Sequence, residues 1–384
     1  MGCVSPLGLD CAENQTGLQT GRDGIGPVTL FDPEGCHCRT AGEVPDARLA
    51  AAEAITVRSR HWHRVSRMTL LALAEALNGR TGFEPEAAIF ATTSGGMSFG
   101  EAFYHGIRGG RPARSQRREL REYFMPQAGR DALRALGFKL DPWILSNACA
   151  SGSNAVGHAA MLIGTGQARR VIGGGYDAVS QLVFAGFDCL RAATPEKCRP
   201  FDRDRRGLVL GEGAAALILE DWEIAEREGR EIFGEIAGYG AANDNHHLTQ
   251  PDPSGAGPRR SMQAALAVAG LEAVDYVNAH GTGTPHNDAS EGRAIAEILP
   301  GVPVSSTKGA MGHSLGAAGA IEAVFCLLAL RGQFLPPNLN FQTPDEAIPI
   351  NLVANHSRPA VLRTALSNSF GFGGANASLV FRAP

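Results

Sequence analysis

Apolar residues in this chain fall into two kinds of stretch. Short continuous runs at 87–93, 143–145, 171–175, 214–219, 274–277, 302–306 and 365–369 predict buried strands. Between them, residues 65–77, 154–166, 257–270 and 317–330 carry Ala, Leu, Met and Ile at helical spacing and predict helices. A further strand is expected over 231–239. Strand then helix, repeated, is the rhythm of an α/β fold. The charged helical stretch 221–230 reads as a seam, so the chain divides into halves at 1–225 and 226–384. Two regions break the rhythm. Residues 21–60 are loop-rich, and between 100 and 123 the pattern gives way to arginine: Arg108, Arg111, Arg114, Arg117, Arg118 and Arg121. The latter reads as a solvated basic loop, with contact to an acidic partner as the alternative. The opening residues, Met1 to Gly8, read as a turn with no strand before it.

Candidate chemistry collects where the predicted strands end. The run at 143–145 delivers Ser-Asn-Ala-Cys-Ala-Ser-Gly-Ser, placing Cys149 on a sharp strand-to-helix turn crowded by Ala148, Ala150, Ser151 and Gly152. A following helix would aim its free N–H groups and positive dipole end at the sulfur, which lowers a thiol's pKa and makes a nucleophile. A buried structural cysteine is the other reading. The strand at 274–277 delivers His280, Thr282 and Thr284, and the strand at 302–306 delivers Lys308 and His313. Ligands and chemistry in open α/β sheets sit at such strand ends. Each residue alone has a structural explanation, but independent accidents would scatter them over loops and helices.

Composition narrows the classes. With 44% hydrophobic and 19% charged residues, the chain can bury a large core. A net charge of −4, with no aromatic residues interleaved among the arginines, argues against nucleic acid and anionic membrane as partners. No run approaches a membrane span and no signal-peptide pattern opens the chain. The eight cysteines follow no disulfide spacing, which suits a reducing, cytoplasmic setting. Cys36-His37-Cys38 has no second ligand pair nearby, so a zinc site is not expected there. The glycines at 173–175 lack the spacing and Lys-Ser/Thr pair of a phosphate loop.

Four ordered motifs then fall together: Asn-Ala-Cys-Ala-Ser-Gly at 147–152, Asn-Ala-His-Gly-Thr-Gly-Thr at 278–284, Lys-Gly-Ala-Met-Gly-His at 308–313 and Gly-Phe-Gly-Gly-Ala-Asn at 371–376. In this combination, with Arg199-Pro200-Phe201-Asp202 and Gly211-Glu212-Gly213-Ala214, nearly the whole chain resembles the β-ketoacyl-acyl carrier protein synthases of the elongating type. The resemblance implies a thiolase-like α/β fold, with duplicated halves in a five-layer αβαβα arrangement. Cys149 would be the acylated nucleophile, its N–H and that of Phe372 forming the oxyanion hole, and Phe372 would also act as a gate. His280 and His313 would assist decarboxylation of the malonyl extender, Lys308 would hold the electrostatics, and Glu322 would anchor the network behind it. Thr282, Thr284 and Thr249 would hold the phosphopantetheine arm. No cofactor is implied beyond that arm, which arrives on the acyl carrier protein. The partners implied are the carrier protein and a second subunit, in a homodimer or in a heterodimer with a related ketosynthase-like chain. Arg64 and Arg67, followed by Lys197, would receive the acidic carrier.

The sequence also departs from that pattern. The strand that normally precedes the Gly-Cys-Val-Ser-Pro-Leu-Gly turn is missing, Arg206 stands where an acidic residue is usual, and residues 96–104, near the expected acyl pocket, are unlike those of fatty acid enzymes. The last points towards a specialised biosynthetic pathway. Three rivals carry distinct expectations. An inactive chain-length partner would lack Cys149. A cysteine thioester hydrolase built on Cys149 and His280 would leave His313 and Lys308 without a task. A pure carrier-binding module would need none of the reactive residues.

Overall fold

The computed structural model describes residues 1–78, 80 and 82–384. Two mixed sheets form its frame. The first runs in the order Gly2–Val4, Gly213–Glu220, Arg170–Asp177, Ala87–Ala91, Trp143–Leu145. The second runs Asn351–Leu352, Pro303–Ser305, Tyr276–Asn278, Thr364–Gly371, Ala375–Arg382, Glu235–Asn243. Each has a parallel core followed by two antiparallel strands. Trp143–Leu145 therefore occupies in one sheet the place that Pro303–Ser305 occupies in the other, so the strands leading to Cys149 and to Lys308 are counterparts.

Between the sheets lie the helices Ser151–Gly164 and Ala318–Gly332, and each packs on strands of both. Every residue from Ala318 to Leu330 is buried, which is why this segment is almost wholly apolar. The two helices cross where glycines permit it: a Cβ on Gly152 would lie 2.5 Å from Ala320 N, and one on Gly319 would lie 2.4 Å from Ser153 N. Arg64–Ala76 covers the outer face of the first sheet, and Ala256–Ala269, backed by Pro285–Ile298, that of the second. The result is the five-layer αβαβα arrangement. A membrane reading of the chain meets one qualification. Leu315–Gly332 is long and apolar enough to cross a bilayer, but 89% of it is buried inside the protein, as befits a core helix.

Three expectations need correction. The opening residues do form a strand: Gly2–Val4 pairs antiparallel with Ala214 to Ala216. The second half's first strand is Glu235–Asn243, displaced towards the C-terminus from 231–239. The arginine-rich stretch is not a loop, because Met97–Arg108 and Arg117–Tyr123 are helical. Its glycines disguise it. They admit neighbouring side chains, since a Cβ on Gly100 would strike the Tyr123 ring and one on Gly106 the Gln116 amide.

Candidate active site

Cys149 stands between the strand Trp143–Leu145 and the helix Ser151–Gly164. The turn is strained: Ala148 holds φ +55, a left-handed conformation unfavourable for any residue with a Cβ. Ser151 stabilises it, accepting from Asn147 N at 2.8 Å while its own N–H reaches Ala148 O at 3.1 Å. Ala150 at the helix cap contributes no side-chain acceptor to the first turn, whose leading N–H, that of Ser151, is taken by Ala148 O instead. Backbone of the 371–374 turn closes on the same point, because a Cβ on Gly371 would lie 2.9 Å from Cys149 N.

One cavity of about 340 Å³ is lined by Cys149, His280, His313, Phe372, Thr249, Thr282 and Thr284 together. The two imidazoles meet edge to face with centroids 5.2 Å apart. Each follows a strand of the second sheet: Tyr276–Asn278 leads to His280, and Pro303–Ser305 leads to the short helix Lys308–Met311 and then His313. Among the described residues neither ring nitrogen of His313 has a hydrogen-bond partner, nor has His280 Nδ1. Burial, followed by the Lys308 charge, holds both imidazoles well below the ordinary histidine pKa. Two neutral rings can thus donate to, or accept from, a reacting group in the cavity.

Lys308 and Glu322 lie behind this wall. Both are fully buried and their side chains are paired, Nζ to Oε1. The Cys149 thiol departs from the expectation of a thiolate stabilised at a helix end. Burial pushes it up to about 12, with Lys308 pulling it down and Asp177 and Glu322 adding to the rise. The resting sulfur is a thiol, and it must surrender its proton as a substrate arrives.

The remaining sequence candidates divide. Thr282 Oγ1 and Thr284 Oγ1 lie 2.9 Å apart at the cavity wall, and Phe372 stacks on Phe187 with centroids 5.6 Å apart. Arg64 is not a docking residue. It is 7% exposed, with its guanidinium held by Glu212, Asp46 and Val44 O, because burying this charge demands full pairing. Arg67 is largely buried and shares Asp46, while Lys197 is exposed and paired with Asp23 at 2.7 Å. Arg191 and Arg206 do line the cavity. Arg206 is exposed and reaches Glu196 at 3.3 Å, so the arginine at this unusual position has an acidic neighbour of its own.

Sequence reading missed Glu291, whose carboxylate accepts from the backbone N–H groups of His280 and Gly281 at 2.8 Å each. Burial raises it to about 7 against those bonds. Its position one helical face into Pro285–Ile298, among other polar residues, gave no signal. Asp177, two residues past the glycines at 173–175, was missed as well.

A duplicated α/β frame with a cysteine, two neutral histidines and a buried lysine at its strand ends defines a condensing enzyme of the thiolase-like class. Family models agree. The N-terminal domain of the β-ketoacyl synthases matches residues 1–225 and the C-terminal domain matches 233–342. The chain belongs to the β-ketoacyl synthase family. It is 36% identical over 402 residues to a 3-oxoacyl-[acyl-carrier-protein] synthase 2 of Synechocystis, covering all of this chain and 96% of that one. It superimposes on the ishigamide ketosynthase/chain length factor with TM-score 0.93 at 32% identity, covering all of this chain and 97% of that one. A type II polyketide ketosynthase in complex with its acyl carrier protein, bound to a hexaketide, matches with TM-score 0.89 at 26% identity, covering all of this chain and 98% of that one.

Proposed function

We propose that this protein is a 3-oxoacyl-[acyl-carrier-protein] synthase, joining an acyl group held on Cys149 to a malonyl extender with loss of CO2. The observation that carries the reading is the cavity lined by Cys149, His280 and His313 together, with the Lys308–Glu322 pair buried behind the imidazoles. In the first step the sulfur attacks an acyl thioester, the carrier's thiol leaves with the proton, and Cys149 becomes acylated. The Cys149 and Phe372 N–H groups would hold the tetrahedral oxyanion. In the second step the malonyl C–C bond breaks, CO2 departs, and the electron pair is delocalised onto the extender's thioester oxygen. His280 and His313, kept neutral, can donate to that oxygen. The carbanion then forms the new C–C bond and displaces the sulfur, which regains a proton. Thr249, Thr282 and Thr284 would hold the phosphopantetheine arm along the cavity. No metal or redox group enters this scheme.

The division at 225/226 follows from the same reading, each half supplying one side of the reaction. The setting is cytoplasmic, and the partners are an acyl carrier protein and a second subunit. That subunit is a second copy of this chain in a homodimer, and the similarity to a ketosynthase/chain length factor supports a heterodimer with a related chain as the alternative. A hydrolase is disfavoured because among the described residues no side chain orients His280 through Nδ1. The test is intact-mass analysis after incubation with a panel of acyl carrier thioesters, followed by malonyl carrier. Acylation confined to Cys149, then discharge into a 3-oxoacyl product, is expected. Release of free acid without extension would replace this reading with hydrolysis.

A further inference from the structure

We propose that Asp177 is a positioning residue for His313, gripping the loop beyond the imidazole and holding it against the half of the molecule that carries Cys149. The inference rests on the condensing reading, since it assigns His313 a task in decarboxylation. Asp177 ends the strand Arg170–Asp177 and is fully buried. Oδ1 accepts from Thr92 Oγ1 at 2.6 Å, Ser94 N at 2.9 Å, Ser94 Oγ at 2.8 Å and Gly95 N at 3.3 Å. Oδ2 accepts from Thr93 N at 2.9 Å, Thr93 Oγ1 at 2.8 Å and Gly316 N at 2.7 Å. Every one of these donors is neutral. A buried carboxylate balanced in this way is held by geometry rather than by a counter-charge, and it holds its donors in return.

All but one of the donors belong to the turn at 92–95, in the same half as Asp177. Gly316 comes from the other half, three residues past His313, and the segment reaches it through Leu315 at φ +53. The joint has no slack. A Cβ on Gly316 would lie 2.8 Å from Asp177 Oδ2 and 2.9 Å from Thr93 N, and Gly316 O would lie 3.0 Å from a Cβ on Gly152, at the start of the Cys149 helix. The imidazole lacks an anchor of its own, because neither ring nitrogen is bonded among the described residues. Its placement therefore depends on main chain on both sides. On one side His313 N donates to Val209 O at 2.7 Å and its carbonyl accepts from Gly211 N at 2.9 Å. On the other side stands the Asp177–Gly316 bond.

The experiment compares Asp177→Asn and Gly316→Ala with the parent protein in three measurements: malonyl-carrier decarboxylation, acyl loading of Cys149, and backbone hydrogen exchange over residues 313–317. The Asn variant turns one acceptor oxygen into a donor facing donors, and the Ala variant pushes the loop from its own side. Displacing a reacting group by about 1 Å can cost a hundredfold, so decarboxylation should fall by about 10- to 100-fold. Loading should stay within about threefold, and exchange at 313–317 should quicken. Equal losses in both chemical steps, or unchanged exchange, would overturn the proposal. If Asp177→Asn does not fold, Gly316→Ala decides by the same criteria. A parent that neither loads nor decarboxylates would defeat the condensing reading instead, and the exchange measurement would still decide whether Asp177 holds the His313 loop.

Discussion

Two buried ion pairs in this molecule look alike in composition and differ in how completely they are satisfied. Arg64–Glu212 is saturated. Glu212 takes the Arg64 Nε and Nη2 groups and the N–H groups of Val44 and Val179, while Arg64 also binds Val44 O and Asp46. Lys308–Glu322 is spare. Glu322 Oε2 has no partner among the described residues, and the lysine's charge acts on Cys149, His280 and His313. A saturated pair spends its field on local structure, as the first does in tying residues 44–46 to the helix Arg64–Ala76. An under-satisfied pair leaves its field to act on what lies nearby. Lone buried pairs add little net stability, so the second is better explained by what it does to the cavity.

The largest effect should come from breaking the spare pair. Lys308→Ala should abolish malonyl decarboxylation, by about 10²–10³-fold or more, and also lower Tm by stranding a buried carboxylate. The double variant Lys308→Met/Glu322→Leu separates the two losses. Its thermal unfolding should return towards the parent while decarboxylation stays lost, and recovery of activity would show the pair to be structural after all. Breaking the saturated pair should do the reverse. Arg64→Ala should cost about 3–5 kcal/mol in denaturant unfolding. The activity per folded molecule should stay within about twofold, and a selective loss of turnover would erase the contrast between the pairs.

A pH measurement sharpens the comparison further. With Cys149 held near 12, its alkylation by iodoacetamide should climb about tenfold per pH unit from 7 to 10 without a plateau. A plateau below pH 9 would mean that the Lys308 field outweighs burial. The imidazoles, lowered well below their ordinary value, lose no protons between pH 6 and 8. Decarboxylation by acyl-loaded enzyme should therefore take no pH dependence from the imidazoles in that range, and a titration near pH 7 would belong to Glu291, which holds the His280 backbone.

How much of this was legible in the sequence follows the same physical line. Runs such as 171–175 and 214–219 are buried on both faces, and a continuous apolar run reports that directly; the strands Arg170–Asp177 and Gly213–Glu220 appear there. Cys149, His280, Lys308 and His313 were legible because strand ends are marked by the apolar runs before them. What stayed hidden depends on contacts distant in sequence. Arg64 and Lys308 are both basic residues at a helix start, and only their partners at 212 and 322 tell a clamp from a field. Asp177 and Glu291 act through backbone N–H groups, which leave no trace in residue identity. The helices at 97–123 were hidden by glycines that serve packing.

The smallest expected effect concerns the surface that the correction of Arg64 leaves open. A carrier entering the cavity must pass its rim, where Arg191 and Arg206 stand, whereas Arg64 is sealed against Glu212. Arg206 and its neighbour Glu196 are both exposed, so this pair holds little net energy and can exchange partners at slight cost. Charge reversal of Arg191 and Arg206 to Glu should slow acyl transfer from carrier by about 3- to 10-fold at low salt, because exposed charges steer encounter more than they hold a complex. Raising the salt screens the steering in the parent as well, and the difference should shrink. Transfer from a short thioester mimic, which needs no docking, should stay within about twofold. Arg67→Glu supplies the contrast. Its partner Asp46 is shared with the saturated Arg64 cluster, so reversal should lower stability and spare the carrier's association rate. If Arg67→Glu slowed the carrier selectively and the rim variant did not, docking would belong to the helix start beside the saturated pair, and the assignment of that region to structure alone would fall.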